Sequence, residues 1–195
     1  DSHPHGNLTV TEIIQKSSNI GTAKIAINNL SAEEMWDFYT AVGFGQSPKI
    51  GFPGAVGGTV HPFKKWMPTD QARIAFGYGI STSLFQVAQA YTVFARDGEL
   101  VPLTIERSPK FKPGTRVLSA KTAIEMRTML ETVTEPGGTA IKAQAEGFRV
   151  GGKTGTAHKL VGKSYGNKYR AYFAGLAPIS APRIVVAVMI DEPTV

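Results

Sequence analysis

Near residue 147 the hydrophobic period of this chain changes, and that change narrows the folds open to it. Before it, apolar residues recur at helical spacing. After it, short apolar runs of strand length are separated by turn residues. Residues 8–27 carry Val10, Ile13, Ile14, Ile20, Ala23, Ile25 and Ile27, broken by Gln15-Lys16-Ser17-Ser18-Asn19. They predict two helices with a turn at 17–19. Ser31-Ala32-Glu33-Glu34 reads as a capping box opening a helix that ends at Gly43. Residues 43–68, rich in Gly and Pro, predict a long irregular loop, and residues 75–78 a short apolar stretch. Leu84, Val87, Ala88, Tyr91, Val93 and Phe94 predict a helix over 81–96, stopped near Gly98. Ser119 caps another, running through Ala123, Ile124, Met126, Met129 and Leu130 toward Pro136-Gly137-Gly138. A short helix is expected over 139–145.

Residues 148–157, 169–177 and 183–190 then read as three strands, most simply two successive antiparallel hairpins. The expected class is α+β: a helical region over 8–145 followed by a three-stranded antiparallel ribbon over 147–191, all within one domain. A ribbon carrying Val185, Val186, Val188 and Ile190 needs helices packed against it.

Composition excludes several functions. The longest apolar run, 184–190, is far short of the ~20 residues that cross a bilayer. There is no cysteine, so disulfides and thiolate metal sites are ruled out. The net charge of +6 is diffuse, with no basic stripe interleaved with aromatics, so no nucleic-acid partner is expected. His3 and His5, either side of a proline near the chain start, could bind a metal but read as disordered, and no metal or other cofactor is expected. No leader pattern opens the chain, and both ends read as cuts through a longer protein.

Two short motifs carry chemistry. Ser17-Ser18-Asn19 lies between the first two helices, and Lys153-Thr154-Gly155-Thr156-Ala157 opens the ribbon. Acyl transfer needs a nucleophile, a proton shuttle, an oxyanion donor and a substrate anchor. In an extended turn Ser17 and Asn19 share a face, so a hydroxyl and an amide can address one substrate. Lys153 adds a positive charge near that hydroxyl. Thr154 and Thr156 share a strand face and can bind a carboxylate. Gly155 leaves room for a substrate backbone at the strand edge, and the Thr156 N–H can face an oxyanion. A Ser-x-Asn triplet alone signals only a turn; the order and separation of the two motifs strengthen the joint reading. Residues 147–154 also match the Walker A pattern literally, with 184–190 and Asp191 imitating a Walker B strand. Context opposes a nucleotide hydrolase, because 142–146 is no apolar strand and Gly155, Gly162 and Gly166 would not sustain the helix that must follow.

On these residues the chain resembles the class B penicillin-binding proteins, division-specific peptidoglycan transpeptidases of Gram-negative bacteria. The resemblance extends to Phe76-Gly77-Tyr78-Gly79-Ile80, to Thr134-Glu135-Pro136-Gly137-Gly138, and to the last strand through Asp191-Glu192-Pro193. It implies a β-lactamase/transpeptidase-like fold, here truncated. It also implies an enzyme whose serine attacks a D-Ala-D-Ala bond and passes the acyl group to a neighbouring stem peptide, and which β-lactams trap covalently. By that likeness Ser17 is a proton relay and Asn19 contacts substrate and lysine. Lys153 is the motif lysine, Thr154, Gly155 and Thr156 bind substrate, the Thr156 N–H helps form the oxyanion hole, and Tyr78 lines the pocket wall. A β-lactamase or β-lactam sensor on the same fold is the runner-up.

Two departures matter. No serine is followed three residues later by lysine, so the nucleophile is expected outside this chain and the chain alone is expected not to acylate. His158 stands where the family often has Arg or Lys, and reads as a solvated loop histidine. The implied partners are stem peptides, β-lactams, the remainder of the same domain and divisome proteins. The implied location is the periplasmic face of the inner membrane. Without the rest of its sheet, the isolated chain is expected to self-associate.

Overall fold

The computed structural model describes residues 1, 4–107, 112–161 and 164–194, with the side chains of 160, 161, 164 and 165 also left aside, so His3 lies outside the described residues. Helix ends follow the side-chain chemistry of the sequence. Thr9 and Glu12 form a capping box on α1 (Val10–Lys16), and Ser18 caps α2 (Asn19–Asn29) by accepting from the Gly21 N–H. Ser31 with Glu34 opens α3 (Ala32–Ala41) in the same way. Each such cap satisfies backbone donors that would otherwise lack a partner, and is typically worth ~1 kcal/mol.

The irregular stretch after α3 contains a 3-10 turn at Phe63–Lys65 and leads into α4 (Asp70–Ala75). The apolar pattern does not reveal α4, because a helix of 6 residues is too short to display a period. The stretch is anchored by Gln86, which is fully buried. Its amide donates to the carbonyls of Gly43, Gln46 and Gly57 at 2.9, 3.0 and 2.8 Å. Gln86 belongs to α5 (Leu84–Ala95), which Ser83 caps and which begins at Leu84 rather than 81. A small pair, β1 (Glu99–Leu100) with β2 (Thr115–Arg116), follows and is another feature the pattern does not show. Ser119 caps α6 (Ala120–Glu131) as expected. The helix expected over 139–145 is reduced to a 3-10 turn at Ile141–Ala143.

The ribbon consists of β3 (Gly151–Val161), β4 (Ser164–Ala177) and β5 (Ile184–Asp191), antiparallel and in that order. Strand β3 starts three residues later and reaches further than its apolar pattern, so His158 is a strand residue, exposed, rather than part of a loop. The Walker A match falls on this strand: Lys153 and Thr154 pair with Ala174 and Phe173 instead of opening a helix, which removes the phosphate-cradling geometry.

Two apolar clusters hold the chain. One joins α2, α3 and α4 through Ala26, Met35 and Ile74. The other packs Leu130, Leu176 and Ile179 with Ile14, Tyr91, Phe94, Met126 and Val185, seating α1, α5 and α6 on the sheet. Burying a side chain such as Leu176 stabilises the fold by roughly 1.5–3 kcal/mol. Helix α6 approaches the sheet closely at Gly151, where a Cβ would stand 3.0 Å from the Glu131 backbone N. The other side of β5 is bare: Ile184, Val186, Val188 and Ile190 are exposed. Among the described residues, no helix is long and apolar enough to cross a membrane.

Candidate active site

The elbow between α1 and α2 sits where the two clusters meet, since Ile14 of α1 belongs to the sheet cluster and Ala26 of α2 to the helical one. Ser17 ends α1 in the left-handed conformation, φ 58° and ψ 43°. A serine there costs on the order of 1–2 kcal/mol, because its Cβ crowds the following carbonyl. Ser18 returns to extended backbone, and Asn19 is already the first residue of α2. The expected extended turn is therefore a tight elbow. Its sharpness comes from the Ser17 and Ser18 N–H groups, which donate to Ile14 and Ile13 carbonyls at 3.2 and 3.0 Å.

That backbone turns the Ser17 hydroxyl toward the sheet, where it accepts a hydrogen bond from Lys153 Nζ at 2.6 Å. The ammonium also donates to the Thr154 carbonyl at 2.9 Å. Lys153 is half-buried, and burial pushes it down to about 8. Asn19 is exposed, and among the described residues no hydrogen bond joins its side chain to Lys153. Its backbone N–H, like the Ser18 hydroxyl, is held by the Asp1 carboxylate at 2.7 and 2.6 Å.

Thr154, Gly155 and Thr156 follow Lys153 along β3, whose other edge has no strand paired to it among the described residues. Gly155 and Thr156 are exposed there. Tyr78 follows α4, its ring edge-on to Phe76 at 5.9 Å. The structure thus unites Ser17 with Lys153 and sets Thr154, Gly155 and Thr156 along the adjoining edge. Two hollows flank this region without containing Lys153. One, of about 400 Å³, lies between Asp1 and α2. The other, of about 420 Å³, lies beside Arg149.

Three contacts were not foreseen from the motifs. Gln15 and Lys16, which precede Ser17, donate to the Thr132 and Gly137 carbonyls at 3.2 and 2.9 Å. Thr139 Oγ1 lies 2.7 Å from Thr154 Oγ1. Their only sequence signal was proximity to the Ser17-Ser18-Asn19 motif and to the segment 134–138.

The penicillin binding protein transpeptidase domain aligns with residues 1–194. The chain belongs to that transpeptidase family. It is 46% identical over 195 residues to the probable peptidoglycan D,D-transpeptidase PenA of Neisseria gonorrhoeae, covering 100% of this chain and 33% of that relative. It is 36% identical over 190 residues to the peptidoglycan D,D-transpeptidase FtsI of Escherichia coli strain K12, covering 97% of this chain and 32% of the relative. The apo transpeptidase domain of Burkholderia pseudomallei penicillin-binding protein 3 has the same fold, with a TM-score of 0.92 at 55% identity. That match covers 97% of this chain and 58% of the solved one. The fold is thus the transpeptidase-like α+β class expected from the sequence, and the chain spans about a third of the length of these two curated relatives.

Proposed function

We propose that this chain is the C-terminal portion of the catalytic domain of a peptidoglycan D,D-transpeptidase that works through an acyl-serine. The observation carrying this reading is the 2.6 Å contact between Lys153 Nζ and Ser17 Oγ in a chain of this family. The nucleophilic serine, in a Ser-x-x-Lys motif, comes from residues outside these 195. Its oxygen gives up its proton to the lysine of that motif and attacks the carbonyl of the penultimate D-alanine, and the peptide C–N bond breaks. D-Alanine leaves once its nitrogen gains a proton. Ser17 delivers that proton through its hydroxyl, and Lys153 holds the hydroxyl and supplies positive charge. An amine on a second stem peptide then attacks the acyl-serine and returns the proton along the same route.

The remaining residues bind and orient. Thr154 and Thr156 hydroxyls take the terminal carboxylate, and the Asn19 amide takes a substrate amide. The Thr156 N–H faces the oxyanion, an interaction worth ~3 kcal/mol in comparable sites. The free edge of β3, widened at Gly155, pairs with the substrate backbone, and Tyr78 forms part of the wall. β-Lactams occupy the same groove as donor mimics. The location is the periplasmic face of the inner membrane, with divisome proteins as partners. Labelled penicillin tests the reading: the full-length protein should acquire covalent label that survives denaturation, and absence of label there would overturn it.

A further inference from the structure

The 132–139 segment touches both α1 and the sheet. Toward α1 it receives Gln15 and Lys16 on the carbonyls of Thr132 and Gly137. Toward the sheet, Thr134 Oγ1 donates to the Val150 carbonyl at 2.7 Å, and Thr139 Oγ1 sits 2.7 Å from Thr154 Oγ1. Its path has little latitude, because a Cβ on Gly138 would stand 2.2 Å from the Val133 carbonyl oxygen. The exposed Thr139 hydroxyl is therefore delivered to Thr154 by a backbone fixed at both ends.

Two hydroxyls at that separation share one proton, and the accepting partner keeps its own O–H for a third group. Thr154 lies on the edge strand, where an anion can approach. With an anion present, Thr139 donating to Thr154 and Thr154 donating outward is the stronger arrangement. A hydrogen bond to a charged acceptor exceeds a neutral one, and a hydroxyl that accepts becomes a better donor. We propose that Thr139 is a positioning residue of the carboxylate site, orienting the Thr154 hydroxyl outward and so making the enzyme selective for donors that end in a free carboxylate. This rests on the transpeptidase reading above and deepens it.

The test uses the full-length protein that carries this chain and two thioester donors, an N-acyl-D-alanyl thioglycolate and its thioglycolamide counterpart. Thr139→Val keeps the volume and removes the hydroxyl. It should lower kcat/KM for the thioglycolate about five- to tenfold, mainly through KM, and leave the thioglycolamide within about twofold, the scale of one neutral hydrogen bond. Thr139→Ser should restore the thioglycolate rate. Equal losses on both donors, or no loss on the thioglycolate, would overturn the role of Thr139 while leaving the functional reading intact. A wild-type protein that turns over neither donor and takes no penicillin label would overturn both.

Discussion

Lys153 Nζ lies 2.6 Å from Ser17 Oγ across a separation of 136 residues. The two belong to different walls, an elbow between helices and the edge strand of the sheet. Their meeting turns two weak motifs into one site, and the first prediction concerns that pair. In the full-length protein, Ser17→Ala, Asn19→Ala and Lys153→Ala should each slow penicillin acylation at least ~100-fold, the lower range for a proton-transfer group. Stopped-flow acylation measures this, and full activity in Ser17→Ala would remove it from the relay.

The depressed Lys153 gives a pH dependence with a definite sign. With its value lowered by burial from 10.5 to about 8, the ammonium is charged below pH 8 and neutral above. Acylation by carboxylate-bearing donors should therefore fall as pH rises through about 8. Lys153→Ala should flatten that limb. Stability runs the other way. The cost of burying the charge is fully present below pH 8 and is relieved between about 8 and 10.5, because the unfolded chain still holds the proton there. Kinetic and urea-melt profiles on the same protein would separate the two trends.

The isolated 195-residue chain should take no covalent penicillin label, because no Ser-x-x-Lys occurs in it. Gel fluorescence after denaturation decides this against the labelled full-length protein, and a stoichiometric band on the isolated chain would place a nucleophile within it.

The isolated chain should also self-associate through β5, where Ile184 and Ile190 are 61% and 56% exposed and Val186 and Val188 lie between them. Light scattering should show mass rising with concentration, and Val186→Lys with Val188→Glu should suppress the rise. A strictly monomeric wild-type chain would contradict the expectation.

Close packing of α6 on β3 predicts a contrast between two glycines of one strand. Gly151→Ala brings a Cβ within 2.5 Å of Ile179 Cδ1 and 3.0 Å of the Glu131 N, and should destabilise by ~1–3 kcal/mol. At Gly155 the nearest atom to a new Cβ is Tyr172 Cβ, at an ordinary 3.6 Å, so Gly155→Ala should stay within ~0.5 kcal/mol. Urea denaturation of both variants in the full-length protein checks the difference.

Local rules were legible wherever one stretch of chain carries them. Ser31 with Glu34 and the hydroxyl of Ser119 mark helix starts, because a cap is satisfied within four residues. Strand β5 was legible as a β-branched run and β4 as a short aromatic and apolar run between turn residues, and the motif residues could be named because their types limit their chemistry. Helix α4 and the β1–β2 pair stayed hidden, being too short to show a period. The turn at 17–19 was legible, but the left-handed backbone of Ser17 was not, since the rest of the fold holds it there against the residue's own preference. The same holds for Thr139 beside Thr154 and for Lys16 on Gly137. The sequence by itself determined which hydroxyl, amide and ammonium groups the two motifs carry and in which elements they lie. Only the tertiary structure decided which of them touch, because a contact across more than a hundred residues depends on how two apolar clusters pack, and no local pattern records that packing.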